Sequence, residues 1–145
     1  MRISLASDSL DGVAPILISE LEGRGHTVVP HGAVSDGRAD WAWCCARAAR
    51  DVAEGVTDQA IVCCWTGTGA SIAANKVPGV RAALCVDAET AAGARKWNDA
   101  NVLAISLRLT SAPLLREILD AWFAGSVSTD EADIANISYI SEMEN

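Results

Sequence analysis

Five short apolar runs alternate with helix-length stretches along this chain, and that alternation limits the possible folds more than any other feature. Ile3–Ala6, His26–Pro30, Gln59–Cys64, Val80–Cys85 and Asn101–Ile105 read as strands, set off by turn-forming residues. Residues 11–24, 41–54, 69–75 and 88–97 read as helices, Asp40 stands where it can cap the second, and a further helix begins at Ser111-Ala-Pro113. Val13, Ile16, Leu17 and Leu21 share one face of the first helix, as Leu115, Ile118, Leu119 and Trp122 do of the last. After Gln59 the third strand is apolar at every position, which suits a parallel sheet covered on both sides. With right-handed crossovers the expected fold class is α/β. It is a three-layer, Rossmann-like, doubly wound five-stranded parallel sheet with helices on both faces.

At 145 residues the chain fits one domain, residues 1–125, followed by a polar, acidic tail, residues 126–145. The tail holds a helix pattern from Thr129 but has little of its own to bury, so it is expected to pack on a partner subunit. A chain that is 50% apolar excludes global disorder. Its formal charge of −8 argues against nucleic acid and anionic membranes as partners, because both recruit Lys and Arg. Asp8 and Asp11 interrupt the N-terminal run that a signal peptide needs, so a cytoplasmic location is expected. Five cysteines make an odd set with no CxxC pair, and His26 and His31 are the only histidines. Neither a disulfide framework nor a metal site is expected, and no cofactor.

Chemistry concentrates in Cys64-Trp-Thr-Gly-Thr-Gly-Ala-Ser71, at the carboxyl end of the third strand where open α/β sheets bind ligands. Glycines there serve either a tight turn alone or a cradle of backbone N–H groups for an anion. Cys64 stands at the head of the following helix, where a thiol can work as thiolate base or nucleophile; the competing reading is an inert buried thiol. Trp41 and Trp43 read as core or dimer contacts ahead of ligand stacking; His31 and Arg38 read as solvated loop residues, with a place at the ligand-bearing edge as the alternative; and Lys76 reads equally well as a salt-bridge partner or a ligand.

The stretch from Cys64 through Ser71-Ile-Ala-Ala-Asn-Lys76 to Cys85 resembles the ribose-5-phosphate isomerase B and galactose-6-phosphate isomerase family, as do Asn98-Asp-Ala-Asn-Val-Leu103 and Ser7-Asp8. The resemblance covers residues 1 to about 124. It implies an aldose–ketose isomerase acting on a sugar phosphate of four to six carbons, through a cis-enediolate and without metal or cofactor. By the same resemblance Cys64 is the base that moves a proton between C1 and C2, and Thr66 aids ring opening or orients the substrate. Gly67, Thr68 and Gly69 amides, with Asn98, stabilise the enediolate oxygen, and Asp8 binds substrate hydroxyls. A homodimer or dimer of dimers is implied too.

The chain departs from the family pattern on the substrate side. Ser9 and Trp97 stand where the family has histidines, and Trp65 where it has a glycine. The tail after Gly125 has no Arg, Lys or His where relatives clasp phosphate with arginines, while Arg108 matches a retained one. Ser9, Trp65, Trp97 and Arg108 are therefore expected at the substrate, the two tryptophans as pocket walls against sugar C–H faces. The alternative is a non-catalytic or partner subunit of a heteromeric sugar-phosphate isomerase, or a sugar-binding regulatory protein.

Overall fold

The computed structural model describes residues 1–145. Five parallel strands form one sheet: β1 (Arg2–Ser7), β2 (Thr27–Gly32), β3 (Gln59–Cys64), β4 (Ala82–Leu84) and β5 (Val102–Ser106), in the order β2-β1-β3-β5-β4. Six α-helices accompany them: α1 (Leu17–Gly23), α2 (Trp41–Ala53), α3 (Thr68–Asn75), α4 (Ala88–Asn98), α5 (Ala112–Ala124) and α6 (Glu131–Glu142). This is the expected three-layer α/β architecture, with α1, α4 and α5 on one face and α2 and α3 on the other.

Alternate strand residues feed the two faces, as the two-residue repeat of a strand requires. Ile3, Leu5, Ile61, Cys63, Leu103 and Ile105 meet the large side chains of α1 and α5, including the fully buried Trp122. Ala6, Ala60, Val62, Cys64 and Ala104 face Ala48, Ala49, Ala70 and Ala74 of α2 and α3, a layer built from small side chains. That layer also encloses a polar knot. Asp51 Oδ2 accepts from Ser4 Oγ at 2.7 Å and pairs with His31 Nε2 at 2.6 Å, with its side chain 2% exposed.

Four local readings change. Residues 11–24 do not form one helix: a 3-10 turn, Ala14–Ile16, precedes α1, because Pro15 has no N–H to donate, and the turn closes instead through Ala14 N–H to Asp11 O and Ile16 N–H to Val13 O, both at 3.1 Å. Asp40 stands at the N-cap of α2 but caps nothing, since its carboxylate pairs with Arg38. His31 is not a loop residue. It lies in β2, tied to Asp51. Strand β4 is three residues long, though Cys85 N–H still reaches Ala104 O at 3.1 Å.

Two helix starts follow the sequence closely. Ser111 Oγ accepts from Leu114 N–H to cap α5, and Asp130 from Ala132 N–H to cap α6. No residue of α6 is buried in the single chain; Ser128 N–H to Lys96 O and Gly79 N–H to Glu144 Oε2, both at 2.8 Å, hold its two ends. No helix is long and apolar enough to cross a membrane.

Candidate active site

The chain turns back on itself between β2 and β3, so β1 and β3 are neighbours whose connections leave in opposite directions. Such a switch point opens a crevice at the carboxyl ends of the strands. Register places Ser7 beside Cys63, so the next residues along, Asp8 and Cys64, stand together at that crevice. They line a cavity of about 320 Å³ with Trp41, Trp65, Thr66, Thr68 and Gly69.

The loop from Cys64 to α3 is fixed by backbone bonds to the end of β5. Leu107 N–H donates to Cys64 O at 3.0 Å, and Arg108 N–H and Ser106 Oγ donate to Trp65 O at 2.9 and 3.1 Å. Gly67 turns the chain at φ +77°, packed so tightly that an added Cβ would lie 3.0 Å from the Ile105–Ser106 peptide. Ala70 N–H, in the first turn of α3, points at Cys64 Sγ at 3.4 Å. The amides of Gly67, Thr68 and Gly69 have no backbone acceptor, as first-turn donors commonly do not. A thiol and a set of free N–H donors thus come from one turn.

Asp8 contributes the only charged group on the cavity. Its Oδ1 is buried without a hydrogen-bond partner. Burial pushes its carboxyl above the usual carboxylate range, Asp11 adds to the effect, and a backbone hydrogen bond opposes it. Thr66 and Thr68 hydroxyls share a hydrogen bond of 2.8 Å. Burial pushes the Cys63 thiol up and Cys85 up to about 12, and the hydrogen bond between Cys44 and Cys45 raises Cys45 and lowers Cys44.

A family model described as Ribose/Galactose Isomerase matches residues 3–140. The chain belongs to the ribose/galactose isomerase family. Galactose-6-phosphate isomerase subunit LacB of Clostridium acetobutylicum is 35% identical over 144 residues, covering 99% of this chain and 83% of that one. Ribose-5-phosphate isomerase B of Escherichia coli is 40% identical over 106 residues, covering 73% and 71%. The structure of ribose-5-phosphate isomerase B from Clostridium thermocellum superposes with a TM-score of 0.89 at 34% identity, covering 99% of this chain and 97% of that one. Membership in the ribose/galactose isomerases places the chain among sugar-phosphate isomerases.

Against this family frame, the residues singled out in the sequence divide into two groups. Asp8, Cys64, Trp65, Thr66, Thr68 and Gly69 line one cavity, with Gly67 in its loop. Trp97 and Asn98 do not line it: they line a second cavity of about 510 Å³ over β4 and α4, with Leu84, Glu89 and Gly93. Trp97 folds back over Gly93, and Lys96 Nζ lies 5.8 Å from its ring. Ser9 Oγ accepts from Asp11 N–H at 3.2 Å and serves the turn after β1. Arg108 is exposed and anchored to the loop by its backbone.

Trp41 is the lining residue that the sequence reading assigned elsewhere. It is 47% exposed, and its ring faces Gly69 so closely that an added Cβ would lie 2.9 Å away. Its position as first residue of the helix after β2, at the ligand-bearing edge, was the signal available. Trp43 instead carries Arg38 at 5.1 Å over its ring.

Proposed function

We propose that this protein interconverts an aldose and a ketose phosphate of four to six carbons, with Cys64 as the base. The observation that carries the reading is the convergence of the Cys64 thiol and the unpaired amides of Gly67, Thr68 and Gly69 in one turn. Abstraction of a proton beside a carbonyl leaves a negative oxygen, and a base works only when donors for that oxygen are already in place.

Cys64, as thiolate, takes the C2 proton of the aldose. The C2–H electrons form the C1–C2 double bond, and the carbonyl oxygen on C1 becomes the enediolate oxygen that the amides receive. A proton passes from O2 to O1. The thiol then returns its proton to C1 as O2 becomes the carbonyl. One hydrogen has moved from C2 to C1 and one from O2 to O1, so no oxidant, metal or cofactor is consumed. Asp8 Oδ1, buried and unpaired, accepts a substrate hydroxyl, and the indoles of Trp41 and Trp65 cover C–H faces. Arg108, which forms no ion pair, supplies charge for the phosphate.

The assembly proposed is a homodimer or a dimer of dimers in the cytoplasm. In it the tail helix α6, unburied in the single chain, packs on a partner, and Trp97 and Asn98 complete a neighbour's site. A second reading, a partner subunit without turnover of its own, rests on the absence of any Arg, Lys or His from the Cys64 cavity.

Solvent-deuterium exchange followed by proton NMR separates the two. The protein is offered aldose and ketose phosphates of four to six carbons and the free sugars. Exchange beside the carbonyl of one of them, lost in a folded Cys64→Ala variant, is the expected result. Exchange that survives in Cys64→Ala removes Cys64 as the base. Absence of exchange from every sugar supports the partner-subunit reading.

A further inference from the structure

Aldopentose 5-phosphates and hexose 6-phosphates are mostly closed rings in water. An isomerase that uses them must first open the ring, taking a proton from the anomeric hydroxyl and giving one to the ring oxygen. That work calls for a group that both gives and takes protons near neutral pH, most often an imidazole. Both histidines of this chain are committed elsewhere. His26 precedes β2 at the opposite edge of the sheet, with Nδ1 3.2 Å from the N-terminal amine and its ring 4.3 Å from that of Phe123. His31 is bound to Asp51 at 2.6 Å, and neither lines the Cys64 cavity. A second copy of the chain would bring the same two committed side chains.

What the cavity does hold falls short of ring opening. Cys64 is occupied with the proton between C1 and C2. The hydroxyls of Thr66 and Thr68 bond to each other and do not titrate near neutral pH. Asp8 is a single carboxyl with no proton-transfer partner, and its buried Oδ1 has no hydrogen bond at all. At the two positions that flank the site motifs, Ser9 caps a turn and Trp97 lies against Gly93.

We infer that the substrate is a sugar phosphate that cannot form a ring: a four-carbon sugar phosphorylated on O4. The oxygen that would close a five-membered ring is then held in the ester, so the carbonyl is available without any opening step. This inference rests on the isomerase reading above and narrows it. The reaction is aldotetrose 4-phosphate to 2-ketotetrose 4-phosphate, with the same two hydrogen shifts and nothing else exchanged.

The test titrates the wild-type protein against three substrates and follows initial rates together with deuterium entry at C1 of the ketose formed. With D-erythrose 4-phosphate the rate is expected to rise in proportion to protein. With D-ribose 5-phosphate it is expected to level off at the spontaneous ring-opening rate, or to be absent. kcat/KM should favour the tetrose by about a hundredfold or more, the usual worth of general acid–base catalysis. A 4-deoxypentose 5-phosphate, as long as ribose 5-phosphate but unable to close the ring, should regain proportionality to protein. Ribose 5-phosphate turnover proportional to protein and as efficient as that of the tetrose overturns this inference while leaving the isomerase reading intact. Turnover of the 4-deoxypentose with an inert tetrose refutes the four-carbon assignment. No exchange from any of the three refutes this inference and, if the remaining sugars are also inert, the isomerase reading with it.

Discussion

Gly67 and Gly69 are two residues apart in one loop, yet the same substitution should destabilise the protein at the first and leave its stability nearly unchanged at the second. Gly67 has φ +77°, where a side chain costs about 1 kcal/mol relative to glycine. An alanine Cβ there would also meet Leu84 Cδ1 at 2.5 Å and the Ile105–Ser106 peptide at 3.0 Å. The leucine can rotate, but the peptide belongs to an inner strand of the sheet, and overpacking against such a wall costs about 1–3 kcal/mol. Gly67→Ala should therefore destabilise the protein by about 2–4 kcal/mol, or roughly 5–15 °C in Tm for a chain of this size.

At Gly69 the backbone is helical, where alanine gains about 1 kcal/mol over glycine. The atoms in the way, at 2.9–3.2 Å, belong to the Trp41 ring, which is half-exposed and free to swing. Gain and strain nearly cancel, so Gly69→Ala should melt within about 2 °C of wild type. Its effect should appear in KM, because the displaced ring is a wall of the Cys64 cavity. Thermal melts by circular dichroism, with initial-rate kinetics on both variants, decide the matter. If the two variants melt together, or Gly69→Ala is the less stable, the reasoning about backbone against side-chain obstacles is wrong.

Other substitutions probe the buried polar groups. Asp8→Asn should lower turnover yet raise stability slightly, because it removes the charge from a carboxyl whose Oδ1 is buried without a partner. Its pH signature has a definite sign: the folded protein holds a proton on Asp8 that the unfolded chain releases, so stability falls as pH rises from the ordinary carboxylate pKa through the raised folded value. Melts across that interval should show a shallower slope in Asp8→Asn. Asp51→Ala strips both Ser4 and His31 of their partner in the small-residue layer and should cost about 3 kcal/mol by urea unfolding. Of the five buried thiols only Cys64 lines a cavity, so brief iodoacetamide treatment at pH 8 should label Cys64 alone, and all five in urea; mass spectrometry of the peptides reads the result.

Much of this protein was legible from residue order. The period of apolar residues distinguishes strand from helix locally, and a strand apolar at every position can only be covered on both sides, so the α/β layering followed from Gln59–Cys64 and its counterparts. The turn of the Cys64–Ser71 loop into α3 was legible for the same reason, since glycine spacing acts locally in the chain. Asp40 and Pro15 show the limit: whether a carboxylate caps a helix depends on Arg38 competing for it, and whether 11–24 is one helix depends on a single missing N–H.

Tertiary structure alone decided which residues share a cavity. Asp8 and Cys64 lie far apart in the chain and meet only because β1 and β3 are adjacent and in register. Trp41 joins them because α2 starts at that same edge, while Trp97 and Asn98 fall on the far side of the loop, over an edge strand that enters the sheet outside β5. His31, open to a role at the site when read from the sequence, is withdrawn from it by Asp51. Sequence determined the elements, because periodicity and turn chemistry act over a few residues. Strand order and helix starts determined the site, because they set which ends of those elements come together.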